Sequence, residues 1–346
     1  MTAFRADSLP VSPSLNRVVL VDIPGVTAGF AGAPAHDWLA TWSIAWLIET
    51  EPDVVAGIRG LGIDVPSLPP GREVTPELMV AAIDWPRGLD VLLQNATDSD
   101  AYAGGLRVAA RLGEALGTLV YTLVTGPVAA RVVRPDWPDE RWDRWARVRR
   151  IVIGGGNVRG EVGARMVAEA RRVLDTAGVR VDLTLAPEPE SLVLRGAASL
   201  LDDGVAIDCG GTNLKTSRVQ SALLAGAPVQ VPAPGRVGAE EVLDTMVRAL
   251  LPMIPSGDGP VAVSIALATY VDETGQPYAD QLGTYAPLGH VEIYNAFAEA
   301  VARHTDRRLV PMFLHDGAAA LAGARHKDRD TDAAIVLGTA IGSGLS

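Results

Sequence analysis

The chemistry this sequence offers is concentrated in two carboxylates, one lysine and three clusters of glycine. Asp208 ends an apolar run and is followed at once by Gly210, Gly211, Thr212, Asn213 and Lys215. Glycines without Cβ let backbone N–H groups approach an anionic oxygen, Thr212 and Asn213 add side-chain donors, and Lys215 supplies a compact positive charge. That composition suits a phosphate-binding turn. Asp208 beside it suits a hydrated Mg²⁺, which prefers one or two carboxylates together with phosphate and water. A second hairpin pattern of the same kind spans 336–345 and contains Gly338, Thr339 and Gly342, and a triple glycine, Gly154-Gly155-Gly156, follows a short apolar run. Asp316 stands after an apolar strand and before Gly317-Ala318-Ala319-Ala320. Such an aspartate can be a helix cap or a base.

These residues need strands and helices to hold them, and the apolar periodicity supplies candidates. Residues 17–22 (Arg-Val-Val-Leu-Val-Asp) predict a strand ending before the turn at Pro24-Gly25. The spacing of Trp38, Trp42 and Trp46 predicts one helix over 37–49 with the three rings on one face, as core or subunit contact. Residues 51–86 are rich in Pro and Gly and predict short helices and loops around 77–83. A long helix is expected over 101–123, then a strand at 150–153 leading into the triple glycine, then a helix over 161–177. Strand, glycine turn and helix form the context in which such glycines become informative. The stretch 131–150 holds seven arginines, four acids and three tryptophans. Glu140 with Arg144 and Asp143 with Arg147 are spaced for weak ion pairs on a solvated helix, with a lid or dimer contact as the alternative.

An apolar helical segment at 192–201 is broken by Asp202-Asp203-Gly204, where a domain boundary is expected. Beyond it the pattern predicts an amphipathic helix (238–253), a buried strand (261–266), a loop-rich stretch to His290, a helix (291–304), a strand (309–314), a helix (317–325) and a final strand pair. The resulting division is 14–201 completed by 331–346 in one lobe, and 202–330 in the other.

Composition narrows the partners. The chain has 346 residues, enough for two cores. A net charge of −11 argues against a nucleic-acid surface, which needs a basic face. Cys209 is the single cysteine, so no intramolecular disulfide or cysteine-rich zinc site can form. No apolar run of signal-peptide length opens the chain and no stretch of about 18 apolar residues follows, so a cytoplasmic protein without a membrane partner is expected.

Taken together, the motifs resemble those of the ROK sugar kinases, within the superfamily that shares the fold of actin, Hsp70 and hexokinase. The family's first phosphate motif, Asp-x-Gly-Gly-Thr-x-x-Lys, is similar to Asp208, Gly210, Gly211, Thr212 and Lys215. Its second resembles Leu337-Gly338-Thr339-Ala340-Ile341-Gly342-Ser343-Gly344, and its Val-Ile-Gly-Gly-Gly resembles Val152–Gly156. Its base motif looks like His315-Asp316-Gly317-Ala318-Ala319-Ala320. The resemblance implies an α/β, two-lobed actin-like (ribonuclease H-like) fold with ATP and substrate in an interlobe cleft. Asp316 would be the base, Asp208 the Mg²⁺ residue, the two hairpins the phosphate turns, and Gly154–Gly156 the adenosine contact. The order of motifs departs from the family's, because the triple glycine precedes Asp208. The expectation is therefore a circular permutant whose last residues lead back into the strand at 17–22.

The substrate residues depart as well. The family's Glu-x-Gly-His element aligns with Ala33-Pro34-Ala35-His36, its Asn before the base is His315, and its Gly-Glu is Gly323-Ala324. The zinc cysteines of the family are missing, so a structural zinc is not expected. With two hydroxyl-accepting carboxylates lost, the acceptor is expected to be a sugar, amino sugar or cyclitol in a different pose, contacted by His315, His36, Thr284 and Tyr285, with His290 and Asn295 nearby. A non-catalytic nucleotide or ligand binder is the alternative, and a homodimer is possible because dimers are common in the family.

Overall fold

The computed structural model describes residues 14–26, 29–69, 75–95, 99–279 and 283–346. The first thirteen residues, used above for the absence of a signal peptide, lie outside these, as do 70–74 in the Pro- and Gly-rich stretch. The chain forms two compact units, one of 14–190 with 335–342 and one of 191–334 with 343–346. The division falls at 190/191, slightly before the expected 201/202. The reason is that helix Leu192–Ser199 packs along helix Asp316–Lys327 of the second unit. Both units are mixed α/β.

In the first unit the short parallel strands β1 (Arg150–Gly154) and β2 (Asp182–Leu185) lie in a four-stranded sheet. The helix expected over 101–123 is present as Asp100–Thr125, opened by Ser99, whose Oγ accepts from Tyr102 N–H at 3.1 Å. It packs along Gly160–Thr176, the helix expected after the triple glycine. The first turn of that second helix is capped from a distance: buried Asp90 accepts from the N–H groups of Glu161 (2.8 Å) and Val162 (3.3 Å).

Three expectations fail here for identifiable reasons. Residues 17–22 form no ladder; Val19 and Pro34 make an isolated bridge, with Leu20 N–H to Ala33 O (2.9 Å) and Ala35 N–H to Val18 O (2.8 Å). The turn after Pro24 thus brings 33–35 back to take those backbone groups. The single helix over 37–49 is two, His36–Leu39 and Thr41–Glu49, because Ala40 is extended at ψ 156°. Trp38 accordingly packs edge-on to Phe30 (4.6 Å), while Trp42 and Trp46 pair with each other (5.0 Å). The Arg- and Trp-rich stretch is not simply a solvated helix. Helix Asp139–Ala146 keeps Glu140 and Asp143 in water but buries Trp142 and Trp145, and Trp137 is buried before it. Arg134, 2% exposed, grips Asp136 through Nε and Nη2 at 2.9 Å each and lies 4.4 Å over the Trp137 ring. Those rings are packed inside their own unit.

The second unit holds a six-stranded sheet of β3 (Asp203–Cys209), β4 (Asn213–Gln220), β5 (Leu223–Leu224), β6 (Val229–Pro232), β7 (Val261–Leu267) and β8 (Leu309–His315). The order is β5-β4-β3-β7-β8, with β6 also on β4; β3 runs antiparallel to β4 but parallel to β7, and β7 parallel to β8. Every residue of β7 is buried, as a central strand covered on both faces requires. Val205, Ile207, Val263, Ile265 and Phe313 join a core with Val242, Met246, Val247 and Phe297 from helices Ala239–Leu250 and Ile293–His304. The opposite face alternates to small residues, Ala206, Ala262, Ser264 and Ala266, under helices Leu192–Ser199 and Asp316–Lys327. The chain ends in β9 (Ala333–Leu337) and β10 (Ile341–Leu345), which complete the four-stranded sheet in the order β10-β9-β1-β2. No helix among the described residues is long and apolar enough to cross a membrane.

Candidate active site

The first glycine turn joins β3 to β4, and its register pairs Asp208 with Lys215. Lys215 Nζ lies 3.6 Å from Asp208 Oδ2. Gly210 N–H closes the turn on Asn213 O (3.0 Å), while Ala233 N–H takes Thr212 O (2.9 Å) and Asn213 Nδ2 reaches Thr212 Oγ1 at 3.4 Å. The Tyr285 hydroxyl donates to Gly210 O at 2.8 Å. Among the described residues the N–H groups of Gly211 and Thr212 have no acceptor.

Parallel pairing then carries the site across the sheet. Cys209, Leu267 and His315 form one row over β3, β7 and β8, and Asp208, Ala266 and Leu314 the row before it. Asp316, the residue just past β8, is near enough for its charge to act on Asp208. On β7 the residue paired with Asp208 is the small Ala266. Burial raises Asp208 to about 6, opposed by Lys215 and reinforced by the charge of Asp316. Burial also raises Asp316 to about 7, opposed in part by Gly317 N–H. Two carboxyls poised near neutrality at one sheet edge are suited to holding and passing a proton.

His315 supplies what the sequence left open about Asp316. His315 caps the helix, accepting Gly317 N–H on Nδ1 at 3.1 Å, and Asp316 is the first helical residue. His315 is 4% exposed and stacks on Tyr270 at 4.3 Å, and burial lowers its pKa to about 3. It is therefore neutral at ordinary pH, with the proton assigned to Nε2 by the bond at Nδ1. Nε2 lies 3.0 Å from Asp316 Oδ1, but the N–H is not aligned on it, and Oδ1 has no hydrogen bond among the described residues. Gly317 packs so tightly on the backbone of Ser343 that no Cβ fits there.

Tyr285 is buried, its hydroxyl raised well above the usual range by burial and by the nearby Cys209, Asp208 and Asp316. Since that hydroxyl serves Gly210, Tyr285 holds the turn. Thr284 is half-buried beside it, and His290 and Asn295 are exposed.

The first unit brings a different set together. Gly155, at φ 105°, lies against Leu337, where a Cβ would overlap the backbone, and its N–H donates to Pro189 O at 2.7 Å. Asn157 bridges the triple glycine to the second hairpin: Nδ2 donates to Gly338 O (2.9 Å), and Oδ1 accepts from Thr41 Oγ1 (3.0 Å). Thr41 N–H also reaches Gly338 O at 3.0 Å, and Ile341 N–H donates to Asn16 Oδ1 at 2.8 Å. Asn157 and Thr41 were not singled out in the sequence; an amide directly after three glycines was the available signal. His36 is half-exposed, with Nδ1 2.9 Å from Asp37 Oδ1 and its ring edge-on to Trp42.

No protein-family model matches this chain, and no curated protein matches it either. Among solved structures it is similar to the ethanolamine utilization protein EutJ from Carboxydothermus hydrogenoformans, at 11% identity and a TM-score of 0.29. That match covers 51% of this chain and 64% of that one.

Proposed function

We propose that the protein is an ATP-dependent kinase that transfers the γ-phosphoryl group to a hydroxyl of a sugar, amino sugar or cyclitol-like molecule. The observation that supports this best is the cluster of Asp208, Lys215 and Asp316 around a glycine turn with two uncommitted N–H donors. In the transfer, the acceptor oxygen bonds to the γ-phosphorus, the bond to the β–γ bridging oxygen breaks, ADP leaves, and the hydroxyl proton passes to Asp316. Asp316 is suited to that task because its free oxygen lacks a donor and its carboxyl is half-ionised near pH 7. Gly211, Thr212 and Lys215 would hold the phosphate charge, which is most of what phosphoryl transfer asks of a protein.

No group of three metal-ligating side chains occurs among the described residues, which fits an ion held by one carboxylate, phosphate and water. Asp208 is the residue to hold Mg²⁺: its Oδ1 faces the side-chain-free Gly210, which leaves room there. Mg²⁺ would neutralise phosphate charge. On the family resemblance we assign Gly338, Thr339 and Gly342 to a second phosphate contact and Gly154–Gly156 to the adenosine. The permuted order of motifs is part of the same proposal; its support is that Gly155 and Leu337-Gly338, far apart in sequence, pack together in the first unit.

The test is ADP release from Mg-ATP with glucose, glucosamine, N-acetylglucosamine and myo-inositol. Release that depends on one of them and is lost in Asp316→Asn, with ATP still bound, is the expected result. Release unchanged by Asp316→Asn removes the base, and ATP binding without acceptor-dependent release leaves a nucleotide-binding protein.

A further inference from the structure

The sequence offers His315 as an acceptor contact, but its ring is committed inside the fold. Nδ1 accepts Gly317 N–H at 3.1 Å, one face lies on the Tyr270 ring at 4.3 Å with the planes 17° apart, and only 4% of the residue is exposed. A half-turn about Cβ–Cγ would put a carbon where Nδ1 now accepts, so the ring keeps one orientation. With Nδ1 an acceptor, the proton of the neutral ring is on Nε2. That atom lies 3.0 Å from Asp316 Oδ1, which has no hydrogen bond among the described residues. The distance is that of a hydrogen bond and only the direction is missing. Of the two groups the carboxylate is the one free to turn, because the terminal torsion of an aspartate is broad and soft.

We propose that His315 is a positioning residue for Asp316: the ionised carboxylate turns Oδ1 onto Nε2–H, and this bond fixes its plane toward the acceptor hydroxyl. This rests on the kinase reading and adds to it what orients the base. An ionised carboxylate has about four lone-pair sites, so Oδ1 bonded to the ring keeps another for the hydroxyl proton. That proton stays on Asp316. Both ring nitrogens are occupied, Nδ1 by Gly317 N–H and Nε2 by its own hydrogen, so His315 neither replaces the base nor relays its proton. Burial, which lowers the pKa of His315 to about 3, acts in the same sense. Tyr270 is the platform that holds the ring in place.

Two measurements test this, and the first needs no activity. In ligand-free protein with isotope-labelled histidine at pH 8, the imidazole N–H resonance of His315 is identified by its absence in His315→Asn. It should belong to Nε2 and lie further downfield in wild type, where a carboxylate accepts it, than in Asp316→Asn. A proton on Nδ1, or the same shift in both proteins, overturns the proposal whether or not the protein is a kinase. The second measurement is acceptor-dependent ADP release. His315→Asn keeps a cap for Gly317 N–H, since Asn is a preferred N-cap; with its oxygen in the place of Nδ1, its nitrogen takes the place of Cδ2, one bond short of Nε2. The substitution should lower kcat about 10- to 100-fold, as for one hydrogen bond to a charged group, with KM for ATP and Tm little changed. In an Asp316→Asn background it should cost nothing more, because His315 acts through that carboxylate. An unchanged kcat in His315→Asn, or a further loss on top of Asp316→Asn, removes the positioning role and leaves the kinase. No ADP release from wild type with any acceptor, together with the downfield Nε2–H, removes the kinase and leaves His315 as the residue that orients Asp316.

Discussion

The two glycine hairpins look alike in sequence and differ in what surrounds them. Each begins Gly, then Gly or Thr, and in each the carbonyl of the first glycine is taken from far along the chain: Gly210 O by the Tyr285 hydroxyl, Gly338 O by Thr41 N–H and the Asn157 amide. Around the first turn stand Asp208, Lys215 and Asp316, two of them held near neutrality by burial. The named partners of the second turn are neutral. The difference teaches where the molecule stores charge. The first turn should respond to pH and to acid/base substitution, the second only to loss of backbone fit.

The largest expected effect is at Asp316. Replacement by Asn should lower acceptor-dependent ADP release by roughly 10²- to 10⁴-fold, the range of general-base contributions. The same variant should be more stable than wild type in the ligand-free state at pH 8, by an amount on the order of 4 kcal/mol. The sign follows from the raised pKa: the folded protein keeps a proton that the unfolded chain releases near 3.8, so wild-type stability falls as pH rises from about 4 through about 7. Asn has no such loss, and the two melting curves should converge near pH 4. A variant less stable than wild type at pH 8 would contradict the burial of that charge.

The second hairpin provides the contrast. Gly155→Ala places a Cβ on the Leu337 backbone at a φ that L residues rarely adopt, and should cost about 3 kcal/mol or more by denaturant melting, equally at pH 5 and pH 8. Asn157→Ala leaves Gly338 O with Thr41 N–H alone and should cost about 1–3 kcal/mol, again without pH dependence. A pH-dependent loss in either would break the comparison.

Two smaller effects sharpen it. The acid limb of kcat/KM should fall with an apparent pKa near 7 in wild type, the value for Asp316 in the free protein, measured from pH 5 to 9. Tyr285→Phe removes only the clamp on Gly210 O and should raise KM for ATP about fivefold, in line with about 1 kcal/mol for one neutral hydrogen bond, with kcat little changed. A fall in kcat instead would make Tyr285 part of the transfer step.

The legible features were the local ones. β3, its glycine turn and β4 were recognisable because strand pattern and turn residues lie within about fifteen positions, and the helices at 100–125 and 160–176 because their apolar spacing is long and regular. The strand expected at 17–22 failed because an apolar pattern does not say which backbone groups will be available, and here 33–35 took them. The helix over 37–49 broke at Ala40, where Thr41 turns its N–H to Gly338, almost three hundred residues on.

By itself the sequence determined that a lysine sits opposite Asp208 across a glycine turn, and that an aspartate follows an apolar strand before a run of small helix formers. Register and periodicity need only neighbours. The tertiary structure alone decided that β7 would lie between those strands with alanines at its edge. It also decided that His315 would cap the helix and leave Asp316 Oδ1 without a hydrogen bond among the described residues, and that Tyr285 and Asn157, 75 and 181 residues from their partners, would hold the two turns. Burial is the physical reason: it sets the charge state of each carboxyl, and it belongs to the packed chain rather than to any residue in it.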